Sequence, residues 1–263
     1  MRTVSDDLGG ACALPTGPVT RVVSLVPSLT EALATTRREA VVGATDWCTH
    51  PADLAVQRVR GTKNPDLAVI GEVASASTEP LLVVANKEEN RRLDVERLRA
   101  AGISVWVTQT EDVLEALESM ERLFEVALQW GLPPWLGRAN RLWLRRRPRP
   151  VARVAVPIWR DPWMVVGSST FTGDLLARAG IENVFATHTE RYPTVEVSEI
   201  DRPDLDAVLL PDEPYAFSAY DGPEAFSTAP TRLLSGRLIT WYGPSLIEAR
   251  EVLDTLAREL ATT

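Results

Sequence analysis

The stretch LLVVANKEENRRLDVERLRAAG, residues 81–102, followed directly by ISVWVT at 103–108, decides the fold. A β-branched apolar run stops at Ala85 against six polar residues, 86–91. Leu93, Arg97 and Ala101 then track the same side of a helix as Leu98, and Gly102 is suited to stop it. Strand, helix and strand in this order make a parallel crossover unit, the building block of a doubly wound α/β sheet.

Working outward, RVVSLVP (21–27) and AVVGAT (40–45) read as further strands. Downstream, Val113, Leu117, Met120, Phe124 and Ala127 recur at helical spacing behind Thr110 as N-cap, and GLPPW (131–135) interrupts them. A shorter basic segment then runs from Pro134 to Arg147, and the Pro-rich RPRP before Val151 marks a boundary. Beyond it VARVAVPI (151–158), DAVLLP (206–211) and RLITW (237–241) read as strands, and a terminal helix is expected from Pro244, striped by Leu246, Ala249, Val252, Leu253, Leu256 and Leu260. The expected organisation is an N-terminal α/β lobe over 1–110, a helical connection over 111–150 and a C-terminal α/β lobe over 151–263.

The chain has 263 residues, 45% of them apolar, with a net charge of −8. That length allows one or two ordinary cores, and that charge argues against nucleic acid or an anionic membrane as the main partner. No apolar run is long enough to insert in a bilayer. Two cysteines, Cys12 and Cys48, imply no disulfide framework, and Asp6 and Asp7 stand where a signal peptide would need apolar residues, so a cytoplasmic location is expected.

In open α/β sheets ligands bind beyond the carboxyl ends of the strands, so the polar residues there are the ones to weigh. After the first strand, Ser28 and Glu31 have capping-box spacing. Trp47, Cys48 and His50 follow the second; with two histidines and two cysteines in the chain, no metal site is expected, and His50 reads better as a proton-transfer group. Lys63 and Asn64 form a turn suited to an anion. Lys87, Glu88, Glu89, Asn90 and Arg91 close the third strand; the plain reading makes Asn86 a helix cap with both acids in the first turn, and the functional reading makes the cluster the floor of a binding cleft. In the second half Trp159, Arg160 and Trp163 suit a wall that stacks on a flat or apolar ligand, with Tyr192, Glu213, Tyr215, Trp241 and Tyr242 completing a polar, aromatic rim.

The motifs DDLGG, RVVSLVPSLTEAL, VVGATDWCTHP, GTKNPDL, VVANKEENR, AAGISVWVT, PIWRDPWM, ERYP and LLPDEPYAF, in this order, resemble the class III solute-binding proteins, the helical-backbone receptors for cobalamin and iron chelates. They are most similar to members without a signal peptide, often labelled cobalamin-binding. The resemblance implies two Rossmann-like lobes of mostly parallel sheet joined by a backbone helix, here shortened, with a ligand cleft between them. It also implies a histidine where this chain has Tyr242, and a longer joining helix, so that residues 131–147 are expected to leave apolar surface for a second copy or another partner.

Two functions follow as expectations. The first is a cytoplasmic protein holding a small polar or corrinoid-type molecule, with no cofactor of its own. The second is an enzyme of specialised metabolism that reuses the cleft for elimination or intramolecular cyclisation of a small anionic substrate. There Glu88 or Glu89 would be the base, its pKa raised by burial, His50 the proton shuttle, and Lys63 and Arg160 the anion clamp.

Overall fold

A computed structural model describes residues 1–262. The chain divides into two compact units, one formed by residues 1–110, 115–138 and 242–244, the other by 111–114, 139–241 and 245–262.

The first unit opens with a hairpin, β1 (Arg2–Ser5) and β2 (Ala11–Leu14), which buries Cys12. Its main sheet takes β3 (Arg21–Ser24), β4 (Val41–Ala44), β5 (Gln57–Arg58), β8 (Leu81–Asn86) and β9 (Ser104–Thr108) in the order β5-β4-β3-β8-β9, all parallel. Short β6 (Arg60–Gly61) and β7 (Asn64–Pro65) form a side hairpin, and α1 (Pro27–Arg37), α2 (Leu67–Ser75) and α3 (Arg92–Ala100) supply the crossovers. All six residues of β8 are buried, as a central parallel strand covered on both faces requires. The chain winds outward from β3 through β4 and then returns to place β8 on the other side of β3, so the sheet order reverses between β3 and β8.

Helix α4 (Val113–Glu121) runs into a π-helical stretch, Arg122–Ala127, and α5 spans Pro134–Trp143. The five periodic residues from Val113 to Ala127 are all buried, as their spacing predicts. Helix α5 ends at Trp143, and residues 144–150 continue without regular structure because Pro148 and Pro150 cannot sustain it. Trp135, Leu136 and Trp143 are buried, so the apolar surface expected over residues 131–147 is largely covered within the chain.

The second unit carries β10 (Ala152–Ala155), β13 (Ile181–Asn183), β14 (Ala207–Pro211) and β15 (Thr231–Leu234) in the order β13-β10-β14-β15, again parallel, with the reversal between β10 and β14. A small hairpin of β11 (Pro157–Trp159) and β12 (Met164–Val165) follows β10, and α6 (Phe171–Arg178), α7 (Val197–Ile200), α8 (Arg237–Thr240) and α9 (Ser245–Leu260) complete it. In α9 Leu246, Ala249, Leu253 and Leu260 are buried while Val252 faces solvent.

Four expectations are corrected. Residues 237–240 are a helical turn rather than a strand: Asp212 Oδ1 takes the Gly236 amide at 2.6 Å and fixes a tight turn, and β15 lies just upstream. Ser28 is no N-cap, because Pro27 takes the first helical position of α1 and both Ser28 and Glu31 are buried. Thr110 stands three residues before α4 instead of capping it. Glu88 and Glu89 lie in a turn, since α3 begins only at Arg92.

Candidate functional site

Both sheet reversals bring polar or aromatic side chains together at strand carboxyl ends, the position at which open α/β sheets bind ligands. In the first unit the organiser is Asn86, the last residue of β8. Its backbone N–H donates to Asn90 Oδ1 at 2.8 Å, its Oδ1 accepts the Glu88 N–H at 2.8 Å, and its Nδ2 donates to Thr108 Oγ1 at 3.2 Å and Thr110 Oγ1 at 3.4 Å. Asn90 in turn donates to the carbonyls of Thr62 (2.9 Å) and Leu25 (3.4 Å), tying the turn to the loops after β3 and β6. Lys63 Nζ donates to the Glu88 carbonyl. The turn is therefore rigidly made, and it leaves Glu88 exposed and Glu89 half-buried.

Tyr242 completes this corner. Its ring is buried and its hydroxyl is set among Ser28, Thr108 and Thr110. Burial, reinforced by the charge of Glu89, pushes the phenol well above its ordinary pKa and outweighs the stabilisation those three hydroxyls give the phenolate. Tyr242 is thus a protonated phenol, a hydrogen-bond donor rather than a base. Gly243 lets this segment approach α1: a Cβ there would lie 3.0 Å from the Ser28 carbonyl. Cys48 is fully buried, with Thr30 Oγ1 at 2.9 Å and Thr45 Oγ1 at 3.1 Å from its sulfur. Burial raises its pKa, against the hydrogen bonds of both threonines and with a further push from Glu89.

Trp47 is 67% exposed beside Gly61, and the same glycine makes room for the Asn64 side chain. His50 is exposed in the loop after Trp47, with Nδ1 3.3 Å from Thr49 Oγ1. Arg91 is the exposed residue preceding α3.

In the second unit, Trp159 is 45% exposed at the end of β11, edge-on to Tyr215 with ring centroids 5.6 Å apart. Tyr215 donates to Asp221 Oδ2 at 2.7 Å. Arg160 is ion-paired with Asp221 and Glu224 and lies over the Trp163 ring at 5.6 Å. Its charge is engaged by two carboxylates, so Arg160 braces the loop, whereas the sequence reading assigned it an anion. Trp163 is core rather than wall: it is buried, stacked on Phe217 at 5.8 Å and edge-on to Phe226. Glu213 Oε1 accepts from Thr240 Oγ1 at 3.1 Å, Tyr192 is 39% exposed under the Arg191 guanidinium, and Trp241 is buried beneath Arg237.

The structure therefore brings Glu89, Asn90 and Tyr242 together in the first unit, and Trp159, Arg160 and Tyr215 in the second. The burial expected to raise the pKa of Glu88 is absent, because the Asx turn from Asn86 aims that residue at solvent. The sequence reading missed Ser28, Asn86, Thr108 and Thr110 as one hydroxyl-amide set, having assigned three of them to helix caps. It also missed Asp221 and Glu224. The available signal was position: each of the first four lies at or just beyond a β3, β8 or β9 carboxyl end. Among the described residues no group of three or more His, Cys, Asp or Glu side chains is arranged to hold a metal ion, and no helix is long and apolar enough to cross a membrane.

No protein-family model matches the chain. Vitamin B12-binding proteins of two Vibrio vulnificus strains are each 23% identical over 199 residues, covering 72% of this chain and 70% of theirs. Among solved structures, the periplasmic vitamin B12-binding protein BtuF of Vibrio cholerae matches with a TM-score of 0.70 at 16% identity, over 94% of this chain and 99% of that one. A periplasmic heme-binding protein from Pseudomonas aeruginosa gives 0.72 at 22% identity, over 90% and 92%. CeuE of Helicobacter pylori with Ni(II) bound gives 0.76 at 16% identity, over 99% and 90%.

Proposed function

We propose that this chain, whose fold is that of the class III solute-binding proteins, is a cytoplasmic receptor that holds one small polar or corrinoid-type molecule against its strand ends. The observation that carries the reading is the placement of polar and aromatic groups at the sheet reversal of each unit: Glu89 and Tyr242 near the ends of β3 and β8, and Trp159 and Tyr215 near those of β10 and β14. Of the first pair, the half-buried Glu89 carboxylate is suited to amide and hydroxyl donors at a ligand's edge, while the buried Tyr242 phenol stiffens the corner from within. The second offers exposed ring surface for a flat or apolar face. Similar proteins named for vitamin B12 and heme, and one solved with Ni(II) bound, support a planar or chelate-type ligand. Two buried, unpaired thiols, Cys12 and Cys48, support a reducing compartment.

One observation keeps the enzymatic reading as a second: the charge of Glu89 acts on both Tyr242 and Cys48, so a carboxylate lies within electrostatic reach of a phenol and a thiol. A single experiment separates the two. The purified protein is titrated with cyanocobalamin, hemin and a nickel chelate while tryptophan fluorescence is recorded, and in parallel is incubated in substoichiometric amount with small-molecule extract followed by mass spectrometry. Saturation at one equivalent with the ligand unchanged supports the receptor. A compound consumed in many-fold excess, and spared by Glu89→Gln, supports the enzyme. Fractionation of source cells with the protein recovered outside the cytoplasm would overturn the proposed location.

A further inference from the structure

Residues 144–151, LRRRPRPV, form the longest run of consecutive exposed residues in the second unit, and they carry four arginines: Arg145, Arg146, Arg147 and Arg149. Arg141, exposed on the last turn of α5, adds a fifth through its carbonyl, which accepts from Arg145 Nε at 3.1 Å. Only Arg147 is neutralised, by Asp174; among the described residues Arg141, Arg145, Arg146 and Arg149 have no ion-pair partner.

The tract is held at both ends. Trp143, buried, donates through Nε1 to the Leu246 carbonyl at 2.8 Å, and its own carbonyl accepts from Arg178 Nη1 at 3.2 Å. Val151 N–H donates to the Gly180 carbonyl at 2.8 Å. Pro148 and Pro150 stiffen what lies between, so the three unpaired guanidinium groups of Arg145, Arg146 and Arg149 are presented at reduced entropic cost, with Arg141 adjoining them on α5. Immediately flanking them, Leu144 and Val151 are 55% and 52% exposed.

We propose that this tract is a peripheral docking surface for an anionic phospholipid bilayer. Guanidinium forks match lipid phosphates, and each arginine near such a surface contributes about 1 kcal/mol of attraction. Leu144 and Val151 supply aliphatic groups for the headgroup boundary. Nucleic acid fits less well: the one aromatic residue at the tract, Trp143, is buried, so no ring is offered for stacking on bases. The remainder of this net −8 chain is repelled by anionic lipid, so contact is made through this face alone.

The test is co-flotation of the full chain with phosphatidylcholine vesicles prepared with and without phosphatidylglycerol. Binding is expected only with phosphatidylglycerol, is expected to fall with added salt, and is expected to weaken about a hundredfold in Arg145→Glu/Arg146→Glu/Arg149→Glu. Leu144→Ser should weaken it several-fold at unchanged salt dependence, which also serves if the triple variant misfolds. Equal flotation with both vesicles, none with either, or displacement by polyglutamate or duplex DNA at lower concentration than by the lipid would overturn the proposal, the last in favour of an acidic protein or nucleic-acid partner.

Discussion

Asn86 and Asn90 brace each other across the turn that ends β8: the Asn86 N–H donates to Asn90 Oδ1 at 2.8 Å, and the Asn90 N–H donates back to the Asn86 carbonyl at 3.0 Å. Asn90 is buried and also holds the Thr62 and Leu25 carbonyls. Replacing it with alanine strands a backbone donor and two acceptors, at a cost of about 2–3 kcal/mol. Thermal unfolding of Asn90→Ala should show a midpoint lowered by roughly 5–10 °C, with ligand affinity reduced as well because Glu89 is carried by the same turn. An unchanged midpoint would show that the turn is held by other means.

Tyr242 gives a pH dependence with a definite sign. Its folded pKa lies above the ordinary phenol value of 10.0, so the folded state binds the proton more tightly than the unfolded chain. The stabilisation is complete below the unfolded pKa and is lost as pH rises through the alkaline range above it. Urea midpoints of the wild type should fall more steeply above about pH 10 than those of Tyr242→Phe. Parallel curves would remove Tyr242 from the account.

How much of this was legible beforehand depends on the range of the interactions. Strands and crossovers were, because periodicity is local: 81–86, 104–108 and 207–211 stand where apolar runs place them. The residues 237–240 were not, because a β-branched run was captured by an acid 24 positions upstream, Asp212. The same distance in sequence hid the site. Ser28, Thr108 and Tyr242 look like a cap residue, a strand end and a rim aromatic until the fold brings 28, 108 and 242 to one corner. Trp159, Arg160 and Trp163 look like one wall in the sequence, but Trp159 ends β11 at the surface whereas Trp163, in the turn before β12, packs into the core on Phe217.

Both thiols should be silent in the folded protein. Burial pushes Cys12 up to about 11, against the opposing pull of Arg99, and raises Cys48 as well; both side chains are almost wholly enclosed. Nucleophilic attack needs an accessible thiolate. Ellman's reagent at pH 8 should therefore titrate no thiol before denaturant is added and two afterwards. Rapid reaction in the native protein that persists in Cys12→Ser and is lost in Cys48→Ser would assign Cys48 a chemical role.

Asp201 should set part of the acid stability. Burial acts to raise its pKa, but the N–H groups of Ala229, Ser227 and Thr228 and the Ser227 hydroxyl all donate to it and hold it at about 2. A depressed carboxyl stabilises the fold above its unfolded pKa of 3.8, and that contribution disappears as pH falls from there towards 2. Asp201→Asn should lower stability at neutral pH and flatten the acid limb of the profile. A variant that retains the wild-type acid limb would place the titration elsewhere.

Gly236 links the fold of the second unit to the Trp159–Tyr215 cluster most directly. Its N–H is held by Asp212, and a Cβ at this position would come within 2.7 Å of the Glu213 carbonyl and 2.3 Å of its Cγ. Backbone cannot yield as a flexible side-chain end does, so Gly236→Ala must displace the loop that begins at Pro211 and carries Glu213 and Tyr215. Tyr215 supports Trp159 edge-on and anchors Asp221, which in turn pairs Arg160, so the displacement reaches every exposed group of that cluster. The variant is expected to lose about 1–3 kcal/mol of stability and at least tenfold in ligand affinity. Tyr242→Phe should leave affinity near the wild-type value, since its hydroxyl is buried among Ser28, Thr108 and Thr110 and the backbone is untouched. If Gly236→Ala unfolds at a lower temperature yet binds as the wild type does, the second unit contributes shape rather than contacts, and ligand recognition rests on the Asn86 corner.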